Sequence, residues 1–178
     1  MRTVLATILM SALFCLSEAA AQQPPTKEYQ SREHKIAIAF PLHWTLNPPV
    51  RNEVWLTSGQ VRGVPVGCFV RVSIVRNLQL VEPEAYFRQT DEVGFGKLNS
   101  IATPDIRIHL FDFSYLGGRK ARRIVYSGTD DGVKVGNLVH QTLDGNRIVT
   151  LTCFAEQQRF QLVYNELEAV AASLRFLK

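Results

Sequence analysis

The chain has 178 residues, 20 Lys and Arg against 16 Asp and Glu, a formal charge of +4 and 46% hydrophobic residues. That hydrophobic share excludes a wholly disordered chain. The length suits one domain, well above the size that needs metals or disulfides to fold. A charge of +4 is too small for a dedicated nucleic-acid protein, so no nucleic-acid partner is expected.

Residues 1–21 read as a signal peptide. Arg2 supplies a short positive region, Val4 to Leu16 is almost wholly apolar, and Ala19, Ala20 and Ala21 offer a small-residue cleavage site. The apolar run is shorter than the roughly 20 residues of a membrane-spanning helix, and no later segment approaches that length. Phe14 before Cys15 does not suit lipidation, so Cys15 leaves with the signal. The mature chain, Gln22 to Lys178, is expected in the bacterial periplasm or outside the cell, with no transmembrane span. Residues 22–33 are polar and include Pro24 and Pro25, which predicts a flexible lead-in. A single domain is expected over 34–178.

Ile36, Ile38 and Phe40 alternate with Lys35, Ala37 and Ala39 and predict a strand ending at Pro41. Glu53 to Thr57 predicts a second short strand. The three glycines and one proline of Ser58 to Gly67 predict a loop or an irregular edge. Cys68 to Arg76 alternates clearly, with Cys68, Val70, Val72 and Ile74 on one face. Glu82-Pro83-Glu84 opens a helix, with proline in its first turn and acids at its positive end. Its stripe runs through Tyr86, Phe87, Thr90 and Val93, and Gly94 and Gly96 stop it. Strands then follow in close succession over Ile106 to Leu110, Ala121 to Ser127, Val133 to Leu143 and Arg147 to Ala155. Asp131-Gly132 and Asp144-Gly145 supply tight hairpin turns between the later ones. Phe160, Val163, Leu167, Val170, Ala171 and Leu174 recur at helical spacing and predict a helix from about Gln158 to Leu174. Glu156, Arg159, Asn165, Glu166 and Glu168 fall on or near its wet side. These elements predict an α+β domain: a central, mainly antiparallel sheet of about six to seven strands with helices packed against it.

Several phrases carry a resemblance. Phe40-Pro41-Leu42-His43-Trp44 follows the first predicted strand. Leu116-Gly117-Gly118-Arg119-Lys120-Ala121-Arg122-Arg123 forms a turn and strand, and Ser173-Leu174 closes the last helix. In these the chain resembles the Mog1/PsbP-like fold, an α/β/α sandwich around an antiparallel sheet. His43 stands where glycine is more usual. The resemblance implies a binding or assembly factor without a shared catalytic centre, and it transfers no functional residues.

Cys68 and Cys153 remain after the signal is removed, 85 positions apart. An even pair in an exported chain reads as a structural disulfide worth about 4 kcal/mol by loop-closure entropy. Two buried thiols and a redox-active pair are the alternatives, and no C-x-x-C favours the last. His34, His43, His109 and His140 lack local metal-site spacing, so no metal and no cofactor are expected. Asp130 and Asp131 read as turn residues, and Glu82 and Glu84 as helix-capping acids. Two surfaces are candidates for binding. One is the basic cluster Arg119, Lys120, Arg122 and Arg123, where Arg122 and Arg123 point opposite ways on a strand and solvated charge with one sheet-face pairing is the alternative; the other is the alternating set Phe111, Phe113 and Tyr115 together with His109, for which core packing is the alternative. The sequence therefore points to a non-enzymatic periplasmic module with a protein partner in the cell envelope. Its alternatives are a small hydrophobic-ligand binder, and a hydrolase whose His, Asp and Ser come together from distant positions. The last would require His109 or His140 to meet an acid such as Asp105 or Asp112.

Overall fold

The computed structural model describes residues 25–48, 53–75, 83–89, 94–96 and 105–178. Among the described residues ten strands make two antiparallel sheets. The larger has seven strands in the order β3-β4-β5-β9-β8-β7-β6: β3 (Thr45–Asn47), β4 (Glu53–Val61), β5 (Val64–Ile74), β6 (Arg107–Leu116), β7 (Arg119–Asp130), β8 (Val133–Asp144) and β9 (Arg147–Glu156). The smaller has β1 (Thr26–Ser31), β2 (Ile36–Pro41) and β10 (Arg175–Phe176), with β2 in the middle. Among the described residues the helices are α1 (Pro83–Phe87) and α2 (Phe160–Ser173), the latter preceded by a 3-10 turn, Gln157–Arg159; residues 94–96, expected to stop the first helix, are themselves helical.

Local sequence explains the meander. Asp131 and Gly132 both take positive φ, 45° and 80°, so β7 and β8 join through the two-residue turn whose twist matches that of the flanking strands. The pairing of Asp130 with Val133 then fixes the register of the whole hairpin.

Ile36, Ile38 and Phe40 of β2 share one buried cluster with Val66, Val70, Val149, Leu151 and the α2 stripe of Val163, Leu167 and Val170. Alternation places the first three on one side of their strand, and helical spacing places the last three on one side of α2. The opposite face of β6–β8 holds a second cluster of Phe95, Ile124, Tyr126 and Val139, with Phe111 packed against it. The resemblance phrases become contacts here. Trp44 stacks on Phe40 with ring centroids 6.0 Å apart. The Ser173 hydroxyl lies 3.0 Å from both the amide N and the carbonyl O of Ala39, tying the end of α2 to β2.

The structure corrects the expected architecture in three places. The chain is mainly β, with two sheets, rather than a helix-rich α+β sandwich. Residues 26–31, inside the expected lead-in of 22–33, form β1 and pair with β2 from Thr26↔Pro41 to Ser31↔Ile36. The expected loop or irregular edge over Ser58 to Gly67 is instead a continuous hairpin of β4 and β5, turning at Arg62 and Gly63. The signal peptide, Glu82 and the expected helix end from Thr90 to Val93 lie outside the described residues.

Candidate functional site

The most connected group of polar side chains lies between α2 and strands β6, β7 and β8. Alternation points Asp112 and Ser114 of β6, Arg123 of β7 and His140 of β8 toward the helix. From α2 come Tyr164 and Glu168, four positions apart and so on one side of the helix. Arg123 grips Asp112 with two bonds, Nε to Oδ1 at 2.9 Å and Nη2 to Oδ2 at 2.6 Å. Its Nη1 donates to Glu168 Oε1 at 3.2 Å. The Tyr164 hydroxyl donates to the same oxygen at 2.6 Å. His140 Nε2 lies 3.1 Å from Glu168 Oε2, and its Nδ1 lies 3.2 Å from Ser114 Oγ.

Glu168 is the hub. Burial alone would push its carboxyl up; the hydrogen bonds from His140 and Tyr164, the His140 charge and the Arg123 bond outweigh that and hold it at about 2. Tyr164 is pushed up to about 12, first by burial and then by its bond to Glu168. Arg123 is held firmly charged, chiefly by Asp112.

Chemically, Ser114, His140 and Glu168 have the connectivity of a hydroxyl, a base and an orienting carboxylate. Two features work against reactivity. His140 is only 2% exposed. The carboxylate also accepts from a guanidinium and a phenol, so the imidazole is one of three groups that share it. The arrangement is suited to holding a helix on a sheet. Among the described residues no group of three His, Cys, Asp or Glu could hold a metal ion.

The four residues of the basic cluster have separate partners. Arg119 pairs with Asp144 at 2.8 Å and stacks over Phe176, while Lys120 pairs with Glu84 of α1 at 3.2 Å. Arg122 points away from α2, buried beneath Phe87, Phe95 and Phe111, and donates to Gln141 Oε1 at 2.6 Å. Removal from water lowers its pKa to about 10. Arg122 and Arg123 thus serve opposite faces, as strand alternation requires.

Phe111 does pack inward against Phe95, and Phe113 is half-buried, but Tyr115 is 67% exposed. His109 is separated from that aromatic set. The register slips between Ile108 and Leu110, leaving His109 as the extra residue of a bulge, and its Nε2 lies 2.8 Å from Ser127 Oγ instead. Of the acids named for a distant site, Asp112 reaches the network only through Arg123. Glu84 bonds Arg88 and Lys120.

Cys68 and Cys153 are bridged. They stand directly opposite each other on β5 and β9, with Cα atoms 4.1 Å apart.

Sequence reasoning placed Glu168 on or near the wet side of its helix, where its side chain is 25% exposed, and did not single out Tyr164. One signal was present. Arg123 and His140 sit at inward strand positions, where a half-buried cation and a buried imidazole need an acceptor, and the i,i+4 pair Tyr164/Glu168 lies at the border of the apolar stripe.

No known family profile matches the sequence, and no curated protein is similar to it at a significant level. Solved structures do match the fold. Cyanobacterial PsbP from Synechocystis superimposes with a TM-score of 0.62 at 12% identity, over 88% of this chain and 95% of that one. The yeast Ran-binding protein Mog1p, from Saccharomyces cerevisiae, gives 0.57 at 8% identity, over 87% and 97%. The chain has the Mog1/PsbP-like fold. A third chain of this Mog1/PsbP-like group, LpqN of Mycobacterium tuberculosis, is involved in cell envelope biogenesis. It matches with a TM-score of 0.58 at 12% identity, over 88% of each chain. At such identities the likeness concerns the fold alone.

Proposed function

We propose that the protein is a non-catalytic, exported module that binds a protein partner of the cell envelope. One observation carries the reading. The side chains best able to do chemistry, Ser114, His140 and Glu168, are bonded to one another and to Arg123 and Tyr164 across the joint between α2 and the sheet. The fold neighbours support it by analogy: LpqN works in envelope biogenesis and Mog1p binds Ran. The Cys68–Cys153 bridge supports an oxidising compartment. No helix among the described residues is long and apolar enough to cross a membrane. The test is site-specific photocrosslinking in intact cells from exposed positions such as Tyr115 and Leu162. A discrete crosslinked species, recovered again through a tag on the captured partner, is expected. Only diffuse or absent crosslinking from every position would contradict the reading.

The Ser114–His140–Glu168 chain favours a second reading, a hydrolase acting through Ser114. It requires loss of turnover in Ser114→Ala with the fold intact.

A further inference from the structure

Cys68 and Cys153 occupy the least accessible part of the molecule. Both side chains are 0% exposed. Their strands, β5 and β9, are the third and fourth of the seven and are hydrogen-bonded on both edges: Cys68 lies opposite Thr57 of β4, and Cys153 opposite Leu138 of β8. Both sulfurs belong to the cluster closed by Val163, Leu167 and Val170 of α2 and by Ile36 and Ile38 of β2. A thiol in that position can meet another molecule only after α2 has lifted or the sheet has opened.

We infer that the disulfide is made before the large sheet closes, by thiol–disulfide exchange on the unfolded or partly folded chain, and that folding then seals it against both oxidants and reductants. The reaction consumes a disulfide-bearing oxidant. One cysteine attacks as thiolate and forms a mixed disulfide, releasing the first oxidant thiol. The second cysteine displaces the other oxidant sulfur, closing the Cys68–Cys153 bond. Two protons and two electrons leave the chain, and the oxidant's S–S bond becomes two thiols. Productive encounter requires the two cysteines, 85 positions apart, to meet in the open chain. In-line pairing of β5 with β9 then holds them opposite each other. A chain that folded first in a reducing compartment would remain a dithiol, so the bridged form is the mark of a chain that arrives unfolded where the oxidant is.

The experiment uses the full mature protein and needs no knowledge of its partner. Dithiothreitol is added to the oxidised protein in native buffer and in guanidinium chloride, and new thiols are counted by alkylation and mass. Native reduction should be slower by about 1,000-fold or more, the reciprocal of the fraction of molecules open at any moment. Comparable rates would overturn the inference. In a second arm the reduced chain refolds without oxidant before oxidised glutathione is added, and a parallel sample receives it at the start. Bridging should be fast in the parallel sample and similarly retarded in the refolded one; equal rates would overturn it. Should the dithiol chain fail to fold, the first arm alone decides. Leu167→Ala, which loosens α2 over the sulfurs, should speed native reduction at least tenfold.

Discussion

Replacing Glu168 by Gln removes a charge while keeping the shape of the side chain. The carboxylate accepts from His140, Arg123 and Tyr164 at 3.1, 3.2 and 2.6 Å. An amide can satisfy one oxygen's donors but turns its own N–H groups toward the others. Breaking a fully buried pair by removing one partner costs about 3–5 kcal/mol. The Glu168 side chain is 25% exposed, which discounts that figure. A second route agrees. The carboxyl sits at about 2 against an ordinary 4.5, and at about 1.4 kcal/mol per pKa unit the depression is worth about 3–4 kcal/mol before solvent screening, which lowers it. The expected loss at pH 7 is therefore about 2–3 kcal/mol. The sign of the pH dependence follows. A carboxyl lowered by folding stabilises above its ordinary 4.5, and that contribution fades as pH falls toward about 2. The gap between the parent protein and Glu168→Gln should be full at pH 7, narrow as pH falls below about 4.5 and close only near pH 2. Urea unfolding followed by the fluorescence of Trp44 and Trp55, both buried, measures it. A gap under about 0.5 kcal/mol at pH 7, or one that persists unchanged into acid, would refute the role given to Glu168.

Other substitutions test separate parts of the fold. Gly136→Ala would place a methyl group about 2.5 Å from the Phe160 ring, and should cost about 1–3 kcal/mol by overpacking, read as a lowered Tm. Arg122→Ala removes the side chain lying under three phenylalanine rings; a loss of about 2 kcal/mol in urea unfolding is expected, and it should be insensitive to salt because the site is buried. The double change Cys68→Ala with Cys153→Ala should lower stability by about 4 kcal/mol, and the parent protein should show no titratable thiol in guanidinium without reductant.

How far the sequence foretold the structure depends on how loudly each position speaks. The β7–β8 turn was legible because Asp131-Gly132 is favoured where both residues need positive φ. The β4–β5 hairpin was not, because three glycines within nine residues look like a loop. Only Gly63 turns the chain. Gly59 and Gly67 lie inside strands, where the rings of Trp44 and Phe154 occupy the space a Cβ would need. That reason is tertiary and leaves no local mark. β1 was missed for the opposite cause: its sequence is polar, and Tyr29, tilted against Phe40, is the half-buried aromatic that binds it to the core. Alternation put Cys68 on an apolar face with Val70 and Val72, and Cys153 stands opposite it there. The candidate cluster was half legible. His140 and Arg123 were visible as strand residues, but the register that brings Ser114, Arg123 and His140 side by side depends on two long hairpins and a bulge at His109. Strand alternation already set Arg122 and Arg123 on opposite faces, and the structure gives them separate partners, Gln141 and Glu168.

The central claim is that the Ser114–His140–Glu168 cluster holds α2 to the sheet and does not perform chemistry. The most direct measurement is the intact mass of the native protein after exposure to a fluorophosphonate ester, followed by peptide mapping. The account predicts an unmodified Ser114. A stoichiometric adduct on Ser114, abolished in a folded His140→Gln variant, would contradict it.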